Sequence, residues 1–373
     1  MAQNRKVLLI ATVQSHIGQF HKPLMRLLKE NGWEIHVAAR DNLAEKNGLQ
    51  LEYPDRVFNV PFQRSPFDKR NIAAYKELKK ILAAEHYDVI HCNTPVGGIL
   101  GRIAANRYRK QGTQVYYTAH GFHFYKGAPK QNWLIYYPIE KWMSRYTDKL
   151  ITITEEDYQR ASKKFHCAVY HVHGVGANTT KFYPISSDEQ ETQKAALSLK
   201  GHILLNVGEL LPNKNQKTAI LAMKQVIESF PDAQLLIAGN GPEKQALEQL
   251  VQEQGLQKHV TFLGYTTSLQ KYMQICDAEI ACSYREGLPL NIMEAMACGK
   301  PVAASHNRGH NELVKEGETG YLVQPNDVSG FAKAVCKILT DGSSSYSEAA
   351  LRRVKAFTDE TVRQELKQLY QIT

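Results

Sequence analysis

The chain has no apolar run long enough to cross a bilayer, no closely paired cysteines and no long low-complexity linker. A spanning helix needs about 20 consecutive apolar residues, so a helical membrane protein is excluded. The opening stretch MAQNRKVLLIATV reads as a strand with no cleavage site, and the expectation is a protein made and kept in the cytoplasm. Cys92, Cys167, Cys276, Cys282, Cys298 and Cys336 are scattered without a Cys-x-x-Cys pair, which favours reduced core thiols over disulfides or a cysteine zinc site. No nucleic-acid motif is present, so no nucleic-acid partner is expected. The first loop, QSHIGQ, lacks the G-x-G-x-x-G turn that a nicotinamide-dependent dehydrogenase would need.

What is present points to two domains. With 373 residues and 43% hydrophobic content, the chain exceeds one ordinary core. Its charge is uneven: Met1 to Pro184 carries 27 Lys+Arg against 15 Asp+Glu (+12), and the remainder 19 against 22 (−3), which sums to the net +9. A basic first half suits an anionic surface or an anionic, lipid-linked substrate.

Apolar strand candidates alternate with amphipathic helices. KVLLIATV, WEIHVAAR, DVIHCNTP and QVYYTAHG are separated by helical stretches, and the pattern restarts with HILLNVGE, QLLIAGNGP, HVTFLG, AEIACSY, PVAAS and TGYLV. Strand, helix and strand in succession imply parallel sheets covered on both faces, so the fold class is α/β with two doubly wound, Rossmann-like domains facing across a cleft. The boundary is expected near Pro184, giving domains 1–184 and 185–373, with the last helix crossing back to the first. QSHIGQ and GSSSYS read as loops.

The second domain holds the stretch REGLPLNIMEAMACGKP, Arg285 to Pro301. Gly287, Leu288, Pro289 and Leu290 read as a turn feeding a helix, with proline suited to a first helical turn. Free amides and the positive end of the helix dipole then meet at one point that suits a phosphate. Glu286 and Glu294 stand either side of this helix start. Ionised carboxylates accept hydrogen bonds from vicinal hydroxyls, so a diphosphate lying between two sugars could be held along this one segment.

This acidic pair, with seven residues between, resembles the signature of retaining family 4 glycosyltransferases of GT-B fold. The phrases SPFDKRN, HCNTPVGG, YTAHGFHFYKGAP, NWLIYYPIEKW, TDKLITITEEDY, NKNQK and NRGHNE are similar to the enzymes of bacterial exopolysaccharide assembly and run through nearly the whole chain. The resemblance implies a UDP-sugar donor, preferably UDP-GlcNAc or UDP-GalNAc, on the second domain. It also implies an undecaprenyl-diphosphate-linked saccharide acceptor on the first. Glu294 would hold the ribose, Glu286 the sugar, and the amides around Gly287, Leu288, Leu290 and Asn291 the diphosphate. Lys214 matches the phosphate-contacting lysine, and Gly239, Asn240, Gly241 and Tyr265 lie by the nucleotide. His120 matches the histidine against the transferred sugar, while His16, Gly18 and His123 fall on the acceptor side.

One departure stands out. Where an arginine commonly follows the glycine at Gly208, this chain has Glu209, leaving Lys217, Arg285 or Arg308 to supply the missing charge. No two aspartates are two residues apart, so the metal-holding Asp-x-Asp of the other common glycosyltransferase fold is absent and transfer without a metal or other cofactor is expected. The lysine- and aromatic-rich stretch KGAPKQNWLIYYPIEKWMSRYTDK suits the headgroup layer of an anionic membrane, which implies a peripheral protein on the inner face of the plasma membrane. A UDP-sugar epimerase of the same architecture, without a lipid acceptor, is the rival reading; a non-catalytic nucleotide-sugar or polysaccharide-binding protein is a further one, against which Glu286, Glu294 and Lys214 argue.

Overall fold

The computed structural model describes residues 5–45 and 49–372. Its contacts divide the chain into two units, one of Met1–Val175 with Val362–Thr373 and the other of Gly176–Thr361. Each is built on one parallel sheet.

In the first unit β1 (Lys6–Val13), β2 (Glu34–Arg40), β3 (Arg56–Asn59), β4 (Val89–Asn93), β5 (Gln114–Ala119), β6 (Lys149–Thr152) and β7 (Ala168–His171) lie in the order β3-β2-β1-β4-β5-β6-β7. The central β1 is buried from Val7 onwards, which is why KVLLIATV is apolar almost throughout. The edge strands β3 and β7 are half-exposed and correspondingly polar. Val362, Leu366, Leu369 and Tyr370 of the final helix, Asp359–Tyr370, pack with Leu24, Leu28, Trp33 and Val37 of this unit.

The second unit holds β8 (Ile203–Val207), β9 (Gln234–Ala238), β10 (Val260–Gly264), β11 (Ala278–Ala281), β12 (Val302–Ser305) and β13 (Gly320–Val323), ordered β10-β9-β8-β11-β12-β13. The doubly wound α/β class read from the alternation is borne out in both units. In each, the order reverses beside the first strand, between β1 and β4 and between β8 and β11. Loops leaving the carboxyl ends of those strands diverge there and open a crevice for a ligand.

Two stretches read as loops are helical. QSHIGQ lies in the helix Gln14–Phe20, where burial of Gln14, Ser15, Ile17 and Gly18 overrides poor helix propensity. GSSSYS leads into the helix Ser344–Val354, whose Tyr346 is buried and donates its hydroxyl to Asp341 at 2.6 Å. A packed aromatic anchor outweighs a serine run.

Candidate functional site

The crevice of the second unit is built from the loops after β8 and β11. Gly208 has φ +155°, and a Cβ there would stand 3.3 Å from Lys214 Cε, so the bare glycine lets the lysine stem lie along the loop. Lys214 ends a short 3₁₀ turn, Pro212–Lys214, and Asn215 follows in the left-handed region at φ 53°, a conformation asparagine tolerates. Asn215 Nδ2 donates to Pro325 O at 2.8 Å and fixes that turn. Tyr284 N donates to Asn213 O at 2.9 Å, and Asn213 Nδ2 to Arg285 O at 2.9 Å. With the two loops so laced, Lys214 Nζ donates to Glu286 Oε1 at 2.7 Å.

The helix beyond Glu286 runs Leu290–Ala297. Pro289 is its N-cap, in extended backbone, rather than a first-turn residue, and it offers no side-chain acceptor. The donors of the first turn are therefore left for a ligand. Gly309 presses on this turn from the side: a Cβ there would lie 2.3 Å from Gly287 O. Arg308 beside it is largely buried, whereas Arg285 and Lys217 are exposed. His310, fully buried, donates from Nδ1 to Ser305 O at 2.8 Å, which fixes its tautomer. Burial holds its pKa down to about 4, with the Glu286 carboxylate pulling weakly the other way, so it is a neutral neighbour of the ion pair.

Four residues beyond the helix start, burial raises the Glu294 carboxyl to about 7, opposed by the Lys181 ammonium. Glu279 of β11 was not singled out in the sequence. It is fully buried, pushed up to about 8 by desolvation, and the Glu294 charge adds to that shift. Asn291 Nδ2 donates to its Oε1, while Oε2 has no hydrogen-bond partner. Glutamate inside the otherwise apolar AEIACSY was the available signal, because a charge in a buried strand asks for a partner.

Gly239 and Gly241 are there for close approach. Cβ atoms on them would stand 1.9 Å from Gly208 O and 2.3 Å from Leu210 O, and Leu210 N donates to Asn240 O at 2.9 Å. The GNGP turn thus forms one wall of the loop carrying Gly208 and Lys214. Tyr265 stands exposed after β10. The structure brings Gly208, Lys214, Glu286, Gly287, Leu288, Leu290 and Asn291 to one end of the sheet.

In the first unit, His120 follows β5 and meets His16 edge to face, ring centroids 4.6 Å apart. His21, also unremarked in the sequence, places its Nε2 at 3.3 Å from His120 Nε2. Desolvation lowers His120 to about 4, and lowers His16 and His21 well below the usual value, so all three rings are neutral near pH 7. His123 stacks instead on Tyr136, at 4.5 Å, and Gly18 faces Leu49 and Leu51.

The comparisons with known proteins agree with this architecture. Residues 6–154 match the family model described as glycosyl transferase 4-like, and residues 187–353 that of glycosyl transferases group 1. The chain is 43% identical over 335 residues to glycosyltransferase EpsD of Bacillus subtilis (strain 168), covering 89% of this chain and 86% of that protein. It is 31% identical over 315 residues to the UDP-Gal:alpha-D-GlcNAc-diphosphoundecaprenol alpha-1,3-galactosyltransferase of Escherichia coli, covering 80% and 79%. Among solved structures, Anabaena HepE in complex with UDP and glucose superposes with a TM-score of 0.77 at 20% identity, over 99% of this chain and 100% of that one. Sucrose-phosphate synthase from Thermosynechococcus elongatus gives 0.79 at 24%, over 99% and 98%. With both halves matched and the identity to EpsD extending over most of either chain, this protein belongs to the glycosyltransferases of GT-B fold, in the group that includes EpsD.

Proposed function

We propose that the protein moves a hexosyl group from a UDP-sugar, UDP-GlcNAc or UDP-GalNAc, with retention, to an undecaprenyl-diphosphate-linked saccharide during exopolysaccharide or capsule assembly. The observation that carries this reading is the 2.7 Å Lys214–Glu286 pair beside a helix start without a side-chain cap. A lysine ammonium has three donors, so Lys214 holds Glu286 with one and offers the others to the diphosphate. The first-turn amides share that charge, and Arg308, buried next to Gly309, is the replacement cation for the arginine absent at Glu209. Glu294 takes the ribose hydroxyls and Glu286 those of the sugar, while Tyr265 and the turn Gly239 to Gly241 border the nucleotide.

The chemistry breaks the bond from the anomeric carbon to the donor's β-phosphate oxygen and forms one from that carbon to an acceptor hydroxyl. The departing diphosphate takes the hydroxyl proton, on the face it leaves from, which preserves configuration. Lys214 and the helix start stabilise the charge that develops on the leaving group, so no metal is required. His120, neutral, gives the sugar or leaving group a hydrogen bond, with His16, Gly18 and His123 on the acceptor side. The name of the Escherichia coli relative, which couples a UDP-sugar with a diphosphoundecaprenol acceptor, supports both substrate classes.

The same reading puts the first unit on an anionic membrane surface. The helix Lys130–Met143 exposes Leu134 (76%), Ile135 (52%) and Trp142 (49%), with Lys130 and Lys141 along it. No helix among the described residues is long and apolar enough to cross a membrane, and aromatic and aliphatic side chains with flanking cations are the composition of an interfacial contact. The test is a panel of nucleotide sugars scored by thermal shift, since a bound donor stabilises the fold by mass action, followed by transfer to a lipid-linked acceptor with EDTA present. A donor that is converted to another sugar nucleotide without any acceptor would replace this reading with the epimerase.

A further inference from the structure

His16, His21 and His120 reach one point from separate places in the first unit. His16 lies on the helix Gln14–Phe20, His21 joins that helix to Lys22–Glu30, and His120 follows β5. One nitrogen of each ring lies within 4.8 Å of the other two. His21 Nε2 and His120 Nε2 are 3.3 Å apart. His16 Nε2 is buried and has no hydrogen-bond partner.

Three neutral imidazoles so placed are poorly matched to one another. Two ring nitrogens in contact can share one proton, and the third is left with nothing to accept from or donate to. A bare buried nitrogen is destabilising, a penalty that a cation shared by three lone pairs removes. In a tetrahedral zinc site with bonds of about 2.0–2.1 Å the ligand nitrogens are about 3.3 Å apart, the spacing of His21 and His120. Bringing His16 to the same distance from both takes a shift of no more than about 2 Å.

The surroundings complete the case. His91 is not a fourth ligand, because Tyr370 Oη stands 2.6 Å from its Nδ1 and Thr118 Oγ1 2.7 Å from its Nε2. A cavity of about 30 Å³ borders His21, His91, Thr118 and His120, enough for a solvent molecule in the fourth position. The cluster contains no carboxylate, which disfavours magnesium and calcium and favours dications that prefer nitrogen.

We propose that His16, His21 and His120 form a three-histidine site for a zinc- or cobalt-class dication, with solvent as the fourth ligand. Binding occupies His120 Nε2 and leaves that nitrogen no proton to donate, so occupancy inhibits glycosyl transfer. That consequence rests on the role given to His120 above; the binding itself does not.

The experiment takes the full chain, free of any affinity tag and stripped with EDTA. Titrating Co²⁺ should produce the intense visible absorption of a tetrahedral site at one equivalent, and Zn²⁺ should abolish it. Mg²⁺ should do neither. His16→Ala should weaken Zn²⁺ binding at least tenfold by calorimetry, whereas His173→Ala, outside the cluster, should leave it unchanged. Absence of a stoichiometric tetrahedral spectrum in the unsubstituted protein overturns the proposal whether or not any variant folds, and so does a folded His16→Ala that binds as tightly as the parent. If Zn²⁺ binds and transfer is not inhibited, the role of His120 falls and the metal site stands. If transfer runs normally and no metal binds, the reverse holds.

Discussion

Replacing Glu279 with glutamine should change how the second unit's stability depends on pH. The carboxyl is fully buried, and its pKa rises from 4.5 in the unfolded chain to about 8. Between those values the folded state holds a proton that the unfolded state has released, so stability is fully present below pH 4.5 and is lost as pH rises through 8. Integrating that difference from pH 5 to pH 7.5 gives a loss of about 3 kcal/mol from this one group. The glutamine of Glu279→Gln cannot ionise. Its amide keeps an acceptor for Asn291 and puts an unpartnered N–H where Oε2 stood, a fixed cost of about 1–3 kcal/mol that does not vary with pH. The variant and its parent should therefore converge or cross as pH rises, their difference shifting by about 3 kcal/mol in favour of the variant over that interval. Urea unfolding at several pH values measures it. Trp33, Trp133 and Trp142 all lie in the first unit, so the second unit's transition must be followed by far-UV ellipticity. Parallel profiles for the two proteins would refute the reasoning, because a carboxyl already ionised in the fold has no linkage to lose.

Other substitutions test other parts of the molecule. Arg102, fully buried, donates to Glu140 Oε2 at 3.0 Å and stacks its guanidinium 3.7 Å from the Tyr117 ring centroid; Glu140→Ala strands that charge and should destabilise the first unit by about 3–5 kcal/mol, read by tryptophan fluorescence in urea. Lys214→Ala should lower kcat for transfer by about 100-fold, with a smaller change in KM. Leu134→Glu should reduce flotation with anionic liposomes at low salt about tenfold, since one exposed leucine contributes about 1.5–3 kcal/mol on burial. Flotation equal to the parent's would remove that helix from the proposed membrane face.

The sequence was most legible where one rule dominated. Lys6–Val13 and Gln234–Ala238 are apolar because they are buried on both faces, and no other element type suits such short runs. The helix start before Leu290 was readable from Gly287 and Pro289, although the proline proved to be the cap. Gln14–Phe20 was not readable, since its stability comes from packing and its residues are poor helix formers. The weakly apolar edge strands Arg56–Asn59 and Ala168–His171 gave no periodic signal. Glu279 and His21 were missed for a further reason: their significance lies in neighbours distant along the chain, Asn291 for one and His120 for the other.

Calorimetric titration with UDP decides whether the second unit's helix start holds a UDP-sugar between Glu294 and Glu286. UDP carries the ribose and the diphosphate but no transferred sugar. Glu294→Ala should weaken UDP binding by about 3 kcal/mol, roughly 100-fold, through the loss of two hydrogen bonds to a carboxylate. Glu286→Gln should bind UDP as tightly or more tightly, since it releases Lys214 from its 2.7 Å contact, yet fail to transfer sugar. UDP affinity unchanged by Glu294→Ala and lost with Glu286→Gln would show that the ribose is not held by Glu294.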